Sequence, residues 1–466
     1  MKRTKIICTI GPASAKKSTL TSMMKAGMDV VRFNLSHGTH ASHRASLRLM
    51  RGVAKEAGKY VPAIADLQGP KIRLGVLPEK GIQLKTEEIF IFSTAITEYK
   101  GKEIPVTYEH LHKDVKANDR FLIDDGLIEL IITKVEKRNI HARVINGGLV
   151  TSHKGMNFPD SRLSVGAITR KDEEDITFAV ESGFDWIALS FVKSAKEVRR
   201  LRQLIVQSAK PKQVLPRIIV KIEKHEAIEA FSEILEATDA VMVARGDLGV
   251  EIPAEQVPIQ QKQIIEKCRT SGKPVIVATQ MLDSMMRSPR PTRAEVSDVA
   301  NAVFDHTDAV MLSGESASGN YPLKAVQMMT KIIHDAEASP FDDVALITSI
   351  PNDPVASVAH TLKLAAVQGS IQAVVVSLEL ADWSETVLRA HPEIPLFIAC
   401  QNEVLARQVA LRWGSVPFVL PRVQEKTFVT RVLRVLKIKR LLKKNTRVAM
   451  VLGGSHGMAF DIIEVS

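Results

Sequence analysis

The chain has 466 residues, 45% of them hydrophobic and 25% charged, with three cysteines and a formal net charge of +11. That balance describes a folded globular protein of roughly three domains and excludes disorder and collagen. There is no run of about 18 uncharged apolar residues, so no membrane-spanning helix is expected, and the apolar stretch 6–10 stops at Gly11-Pro12, too short for an export signal.

Cys8, Cys268 and Cys400 lie far apart, with neither metal-ligand spacing nor a disulfide framework, which points to a reducing cytoplasm. Nine of the eleven net positive charges fall between Arg422 and Arg447, where ten Lys or Arg accompany Glu425 alone. Phe428, Val432, Leu433, Leu436 and Leu441 recur there at helical spacing. The pattern predicts a helix with a basic, solvated face, and no nucleic-acid partner is expected; an anion, partner or nucleic-acid surface is the alternative.

In chain order, short Val/Ile-rich runs at 6–11, 30–36, 63–67, 186–191, 218–223, 240–247, 274–280 and 309–316 alternate with helix-like segments. Eight βα units predict an α/β fold of the (β/α)8 barrel type, with its site where the strands' C-terminal ends meet. Between the third and fourth runs the regularity breaks. Strand-like runs at 89–92, 121–123, 128–133 and 141–145 predict a small inserted β-barrel domain joined by two crossings. After Pro340 a separate α/β unit follows, with strands near 373–377, 396–400, 417–420 and 448–452. The expected division is therefore 1–73 with 165–340, 74–164, and 341–466.

Polar residues crowd the strand endings: Arg32, Asn34, Ser36 and His37; Asp66 and Gln68; Ser190; Lys221 and Glu223; Arg245 and Asp247; Thr279 and Gln280; Ser313 and Glu315. Charges beside buried apolar runs are costly unless paired, metal-bound or functional. Lys221 and Glu223, two apart on a strand, share a face. Glu223 and Asp247 end consecutive strands, and two hard oxygen ligands suit Mg2+ or Mn2+; a Lys221–Glu223 pair without metal is the plainer alternative. Lys221 and Arg32 beside a cation would neutralise concentrated negative charge, such as a phosphoryl group in transfer. Arg73 and Lys154 could add anion contacts. No Walker A motif is present. The stretch Gly453-Gly-Ser-His-Gly457 is either a glycine-rich phosphate loop or a plain turn.

Lys5-Ile-Ile-Cys-Thr-Ile-Gly-Pro-Ala-Ser14, Val31-Arg-Phe-Asn-Leu-Ser-His-Gly38, Asp66-Leu-Gln-Gly-Pro-Lys-Ile-Arg73, Lys221-Ile-Glu223, Val243-Ala-Arg-Gly-Asp-Leu-Gly-Val-Glu-Ile252, Ala278-Thr-Gln-Met281 and Pro291-Thr-Arg-Ala-Glu295 occur in that order. Together they resemble the pyruvate kinase family, strongly from Lys5 to Leu323 and more weakly in the last domain. The resemblance implies transfer of the phosphoryl group of phosphoenolpyruvate to ADP, giving pyruvate and ATP. It implies that Glu223 and Asp247 hold Mg2+, and that Lys221 stabilises the phosphoryl group in transit and the enolate. Arg32 would contact the substrate phosphate, the Gly246 backbone its carboxylate, and Thr279 the proton route to pyruvate. Arg73, Lys154 and the 34–37 turn, with Asn34 and His37, would face the nucleotide phosphates, and a second Mg2+ would arrive with ADP. A cytoplasmic homotetramer and a mobile insert over the barrel mouth are also implied.

Two departures carry expectations. Many members hold K+ on positions matching Asn34, Ser36, Asp66 and the carbonyl at Leu67, beside a glutamate. Here that glutamate is replaced by Lys71, whose ammonium would take the cation's place and make catalysis K+-independent, Asn34, Ser36 and Asp66 remaining to orient Arg32 and Lys71. In the last domain, 376–384 contains no glycine and places Glu379 and Asp382 where activated members cradle a phosphate, leaving only Ser377 and Ser384 as donors. Activation by fructose 1,6-bisphosphate is therefore not expected. A metal-dependent lyase or aldolase on a related barrel would need neither the insert nor Arg73 and Lys154. An inert binding protein would have lost one of Lys221, Glu223, Asp247 or Thr279, and all four are present.

Overall fold

The computed structural model describes residues 2–342, 354–377, 387, 390–421, 425–454 and 457–465. Eight parallel strands close into a barrel: Lys5–Thr9, Val30–Asn34, Ala63–Asp66, Trp186–Leu189, Arg217–Ile222, Ala240–Ala244, Val275–Ala278 and Ala309–Leu312. Each pairs with its neighbours in sequence, and the ring closes with Lys5 in register with Ala309. The alternation of side chains along each strand builds two cores. Ile7, Val30, Ile64, Trp186, Ile219, Met242, Ile276 and Met311 fill the barrel. Residues one step away, such as Ile6, Cys8, Val31, Val220 and Val243, face the surrounding helices. Burying each such side chain contributes about 1.5–3 kcal/mol.

The strands end earlier than the apolar runs suggest. The expected strand 240–247 stops at Ala244, whose register partner is Ala278, the last residue of the next strand. With no ladder to continue, the chain turns directly into the helix Arg245–Glu251, which carries Asp247 in its first turn. Likewise 309–316 stops at Leu312 and turns into the helix Gly314–Ala317. There Glu315 accepts hydrogen bonds from the backbone N–H groups of Ser313 and Leu282, so this polar strand ending is structural.

The insert has its own apolar cluster around Phe92, Phe121, Leu130, Ile132 and Phe158. Its six-stranded sheet runs Met156–Asn157, Arg120–Ile123, Ile128–Glu136, Asn139–Asn146, Ile89–Ser93 and Glu103–Pro105, beside a pair formed by Ile82–Leu84 and Gly148–Val150. The last region is a five-stranded sheet in the order Ser415–Val419, Leu396–Cys400, Ala373–Ser377, Arg447–Gly454 and Gly457–Glu464. Its final two strands pair antiparallel with Gly454 opposite Gly457; Ser455 and His456, the middle of the glycine-rich stretch, lie outside the described residues. The basic segment contains the helix Glu425–Ile438, with Phe428, Val432 and Leu436 buried. Arg407 Nε donates to Asp185 Oδ1 at 2.8 Å and Lys5 Nζ to the Ser415 carbonyl at 2.8 Å, tying this region to the foot of the barrel. All three cysteines are free and buried. Among the described residues no helix is long and apolar enough to cross a membrane.

Candidate active site

The barrel brings five strand endings to one point. Arg32, on the second strand, donates from Nε to Asp66 Oδ2 at 2.6 Å and from a terminal nitrogen to Thr9 Oγ1 at 3.0 Å. Asp66 closes the third strand, with Oδ1 3.4 Å from Lys221 Nζ. Lys221 donates to Ser190 Oγ at 2.9 Å, and Ser190 in turn donates to the Leu67 carbonyl at 2.8 Å. Lys221 Nζ also stands 2.8 Å from Glu223 Oε1, an ion pair without the alignment of a hydrogen bond. The other Glu223 oxygen accepts the Phe191 N–H at 2.7 Å. Side-chain exposure is 12% for Lys221, 1% for Asp66 and 0% for Glu223.

These charges perturb one another strongly. Burial alone would push the Lys221 ammonium down, but Asp66 and then Glu223 outweigh it, and its pKa ends above the ordinary lysine value. Burial would raise the Asp66 carboxyl, yet Lys221 and Arg32 hold it below the usual carboxylate range. Glu223 ends above that range because burial, reinforced by Asp247, outweighs Lys221. A divalent cation between Glu223 and Asp247 would relieve that repulsion. Glu223 Oε1, buried and without a hydrogen bond, retains lone pairs to offer it. The residues therefore fit the group.

Thr279 sits just past the seventh strand with φ +71°, a left-handed conformation that a β-branched residue rarely adopts, followed by Gln280 at +54°. Its hydroxyl accepts the Gly246 N–H at 2.8 Å and donates to the Ala278 carbonyl at 2.6 Å. Arg245 clamps the turn, donating to the Thr279 carbonyl at 2.8 Å and to Asp298 at 2.7 Å. The Gly246 N–H expected to face a substrate carboxylate is thus held by Thr279 here.

The remaining candidates divide into two groups. Asn34 Oδ1 accepts the Ser36 N–H at 3.1 Å, shaping a turn that leaves His37 exposed. Arg73 and Lys154 lie on the two crossings into the insert, which meet at the bridge Arg73–Gly155. Arg73 donates to the His153 carbonyl at 2.8 Å, and Lys154 is paired with Asp124 at 2.7 Å. Lys71 lies against the return crossing: a Cβ on Gly155 would stand 3.3 Å from its Cε and 4.0 Å from Nζ. Among the described residues no carboxylate is within ion-pair distance of Lys71, and Asp66 is instead committed to Arg32 and Lys221. Lys71, Asn157, Phe191, Lys193, Lys224, Glu226 and Asp247 line one cleft between insert and barrel. Thr9 and the Phe191 N–H are contacts that sequence reasoning missed. Thr9 was signalled only by its place two residues beyond inward-facing Ile7, and the N–H carries no side-chain signature.

A parallel barrel with lysine, arginine and carboxylates gathered at the strands' C-terminal ends defines an enzyme that handles anionic substrates. The family description "Pyruvate kinase, barrel domain" matches residues 1–326. Pyruvate kinase 2 of Synechocystis is 42% identical over 100% of this chain and 79% of that protein. Pyruvate kinase of Staphylococcus saprophyticus is 44% identical over 90% of this chain and 72% of its own length. A crystallised pyruvate kinase from Cryptosporidium parvum superposes with a TM-score of 0.93 at 32% identity, covering 100% of this chain and 96% of that one. The chain belongs to the pyruvate kinase family.

Proposed function

We propose that the chain moves the phosphoryl group of phosphoenolpyruvate to ADP, giving pyruvate and ATP, around the ammonium of Lys221. The observation that carries this reading is that ammonium, buried at the barrel mouth and held by Ser190, Asp66 and Glu223. Phosphoryl transfer runs through a loose transition state and demands alignment and charge neutralisation more than covalent chemistry. Arg32, fixed by Asp66 and Thr9, grips the substrate phosphate. A β-phosphate oxygen of ADP attacks phosphorus, the bond from phosphorus to the enol oxygen breaks, and Lys221 balances charge first on the phosphoryl group and then on the enolate. Glu223 and Asp247 would hold Mg2+ or Mn2+, which supplies further neutralisation of the substrate oxygens when bound. The enolate carbon then takes a proton by a route through the Thr279 hydroxyl; for the Gly246 backbone to meet the substrate carboxylate, Thr279 must first release the Gly246 N–H that it now accepts. Arg73, Lys154, Asn34 and His37 face the nucleotide phosphates, a second Mg2+ accompanying ADP.

The division into a barrel (1–73 and 165–340), an inserted lid (74–164) and a last domain (341–466) belongs to the same reading. So do a cytoplasmic location and a homotetramer, the latter read by sedimentation. Lys71 replaces K+, its ammonium on a flexible stem reaching the cation position from where it now lies beside Gly155. Fructose 1,6-bisphosphate does not activate, because Glu379 and Asp382 would repel a phosphate dianion and 376–384 contains no glycine; Glu379, Asp382 and Ser384 lie outside the described residues. The test is a lactate dehydrogenase-coupled assay with phosphoenolpyruvate, ADP and Mg2+. Pyruvate formation that requires all three supports the reading, and its absence ends it.

A further inference from the structure

We propose that His225, Glu226 and Glu251 form a second cation site, separate from the Glu223–Asp247 pair, that takes a borderline transition-metal ion of the Zn2+ class. The inference stands on side chains to which the phosphoryl-transfer reading assigns no role.

Two short helices build the site. His225–Glu229 follows the fifth barrel strand, and Arg245–Glu251 follows the sixth. Asp247 and Glu251 are four residues apart, hence on one helical face. The elements that present Glu223 and Asp247 at the barrel mouth therefore present a second set of donors one turn further on. His225 Nδ1 lies 3.3 Å from Glu226 Oε2 and 3.8 Å from Glu251 Oε2. All three ligand atoms fall within 4.8 Å of one another. Ligands about 2.1 Å from a tetrahedral ion stand roughly 3.4 Å apart, close to both separations from His225.

The polar bookkeeping points the same way. His225 Nδ1, Glu226 Oε2 and Glu251 Oε2 are buried atoms that face only one another, at separations too long or too poorly aligned for good hydrogen bonds. The Glu251 side chain is 0% exposed. Its other oxygen is satisfied by Lys224 Nζ at 2.7 Å and Asn157 Nδ2 at 3.4 Å, which leaves Oε2 turned toward His225. An imidazole nitrogen with two carboxylate oxygens is a donor set for Zn2+ with one position open, whereas Mg2+ prefers oxygen alone. The Lys224 ammonium opposes a dication but sits on the far oxygen, and the two carboxylates outweigh it. Because Asn157 belongs to the insert, an ion here would also pin the return crossing of the insert to the barrel.

The experiment uses the full-length chain, stripped by a chelator and then held in saturating Mg2+ so that Glu223 and Asp247 are occupied. Zn2+ is titrated calorimetrically, and Co2+ is added in parallel as a spectroscopic probe. The expected result is one Zn2+ per chain that Mg2+ does not displace, with intense visible Co2+ bands of low coordination. Glu226→Gln and His225→Gln should each weaken Zn2+ binding roughly tenfold or more and abolish those bands. Folding of each variant is checked by circular dichroism, and either one that folds suffices; the wild-type Co2+ spectrum stands independently of both. Absence of Zn2+ binding, displacement by Mg2+, or full affinity in a folded variant overturns the site. None of these readouts depends on turnover.

Discussion

Lys221 and Glu223, two residues apart at the end of the fifth barrel strand, meet at 2.8 Å with side chains 12% and 0% exposed. An ion pair this buried is costly to desolvate and is seldom the most stable choice for a core. Its presence beside Asp66 and Asp247 marks a place where stability has been given up for charge at a defined point.

Glu223→Gln conserves volume but removes the carboxylate. The amide offers one weaker oxygen, so the Mg2+ concentration for half-maximal activity should rise about tenfold or more. Steady-state rates against Mg2+ measure this; an unchanged half-saturation would place the cation elsewhere.

Thr279 holds φ +71°. Thr279→Gly relieves strain of about 1–3 kcal/mol against a backbone-entropy cost of about 0.5–1 kcal/mol. Losing the hydroxyl's bond to the Gly246 N–H costs about 1–3 kcal/mol in turn, so the variant should melt close to wild type while kcat falls roughly a hundredfold for want of the hydroxyl. Thr279→Ser, which restores the hydroxyl, should recover most of the rate. Parallel loss of melting temperature and activity would make Thr279 a structural residue only.

Lys71 predicts kinetics indifferent to K+ at constant ionic strength with a bulky organic counter-ion. A second cation beside the ammonium would cost on the order of 1–4 kcal/mol. Lys71→Glu should slow turnover and create a K+ requirement. Stimulation of the wild type by about tenfold or more, a gain of about 1.4 kcal/mol, would show that Lys71 does not stand in for the ion.

His306, at the junction with the last domain, titrates at about 4 rather than 6.5, mainly through burial and then through Arg269 and Lys363. A depressed histidine favours the folded state fully above pH 6.5, and that contribution drains away as pH falls from 6.5 to 4. Nearby Asp308 titrates at about 6 rather than 3.8, again through burial, so its contribution is complete below 3.8 and is lost as pH rises through 6. Each is worth on the order of 3 kcal/mol, and over pH 4–6 they oppose each other. Removing the histidine with His306→Gln should leave the Asp308 trend exposed. Relative to wild type, the variant's melting temperature should be higher at pH 4.5 than at pH 7. A pH-independent difference would refute the depressed histidine.

The barrel was legible because parallel strands buried on both faces read as unbroken apolar runs separated by amphipathic helices. Lys221 and Glu223 were legible because strand periodicity puts them on one face. The short insert strands Ile82–Leu84 and Glu103–Pro105 were not, being three residues long and carrying exposed or half-exposed Gln83 and Glu103. The left-handed turn at Thr279 was invisible because nothing in Ala-Thr-Gln announces a positive φ. Nor could the sequence show that Asp66 is shared by Arg32 and Lys221 and so is not available to hold Lys71. That arrangement depends on three strands closing in space.

In the proposed reaction the Lys221 ammonium carries phosphoryl transfer. Phosphorus NMR of phosphoenolpyruvate, ADP and Mg2+ with the full-length chain tests it most directly, comparing wild type with Lys221→Met. Wild type should convert the phosphoenolpyruvate resonance into the γ-phosphate of ATP. The variant, its fold verified by circular dichroism, should do so roughly a hundred to a thousand times more slowly. Conversion at the wild-type rate by a folded Lys221→Met chain would contradict the account.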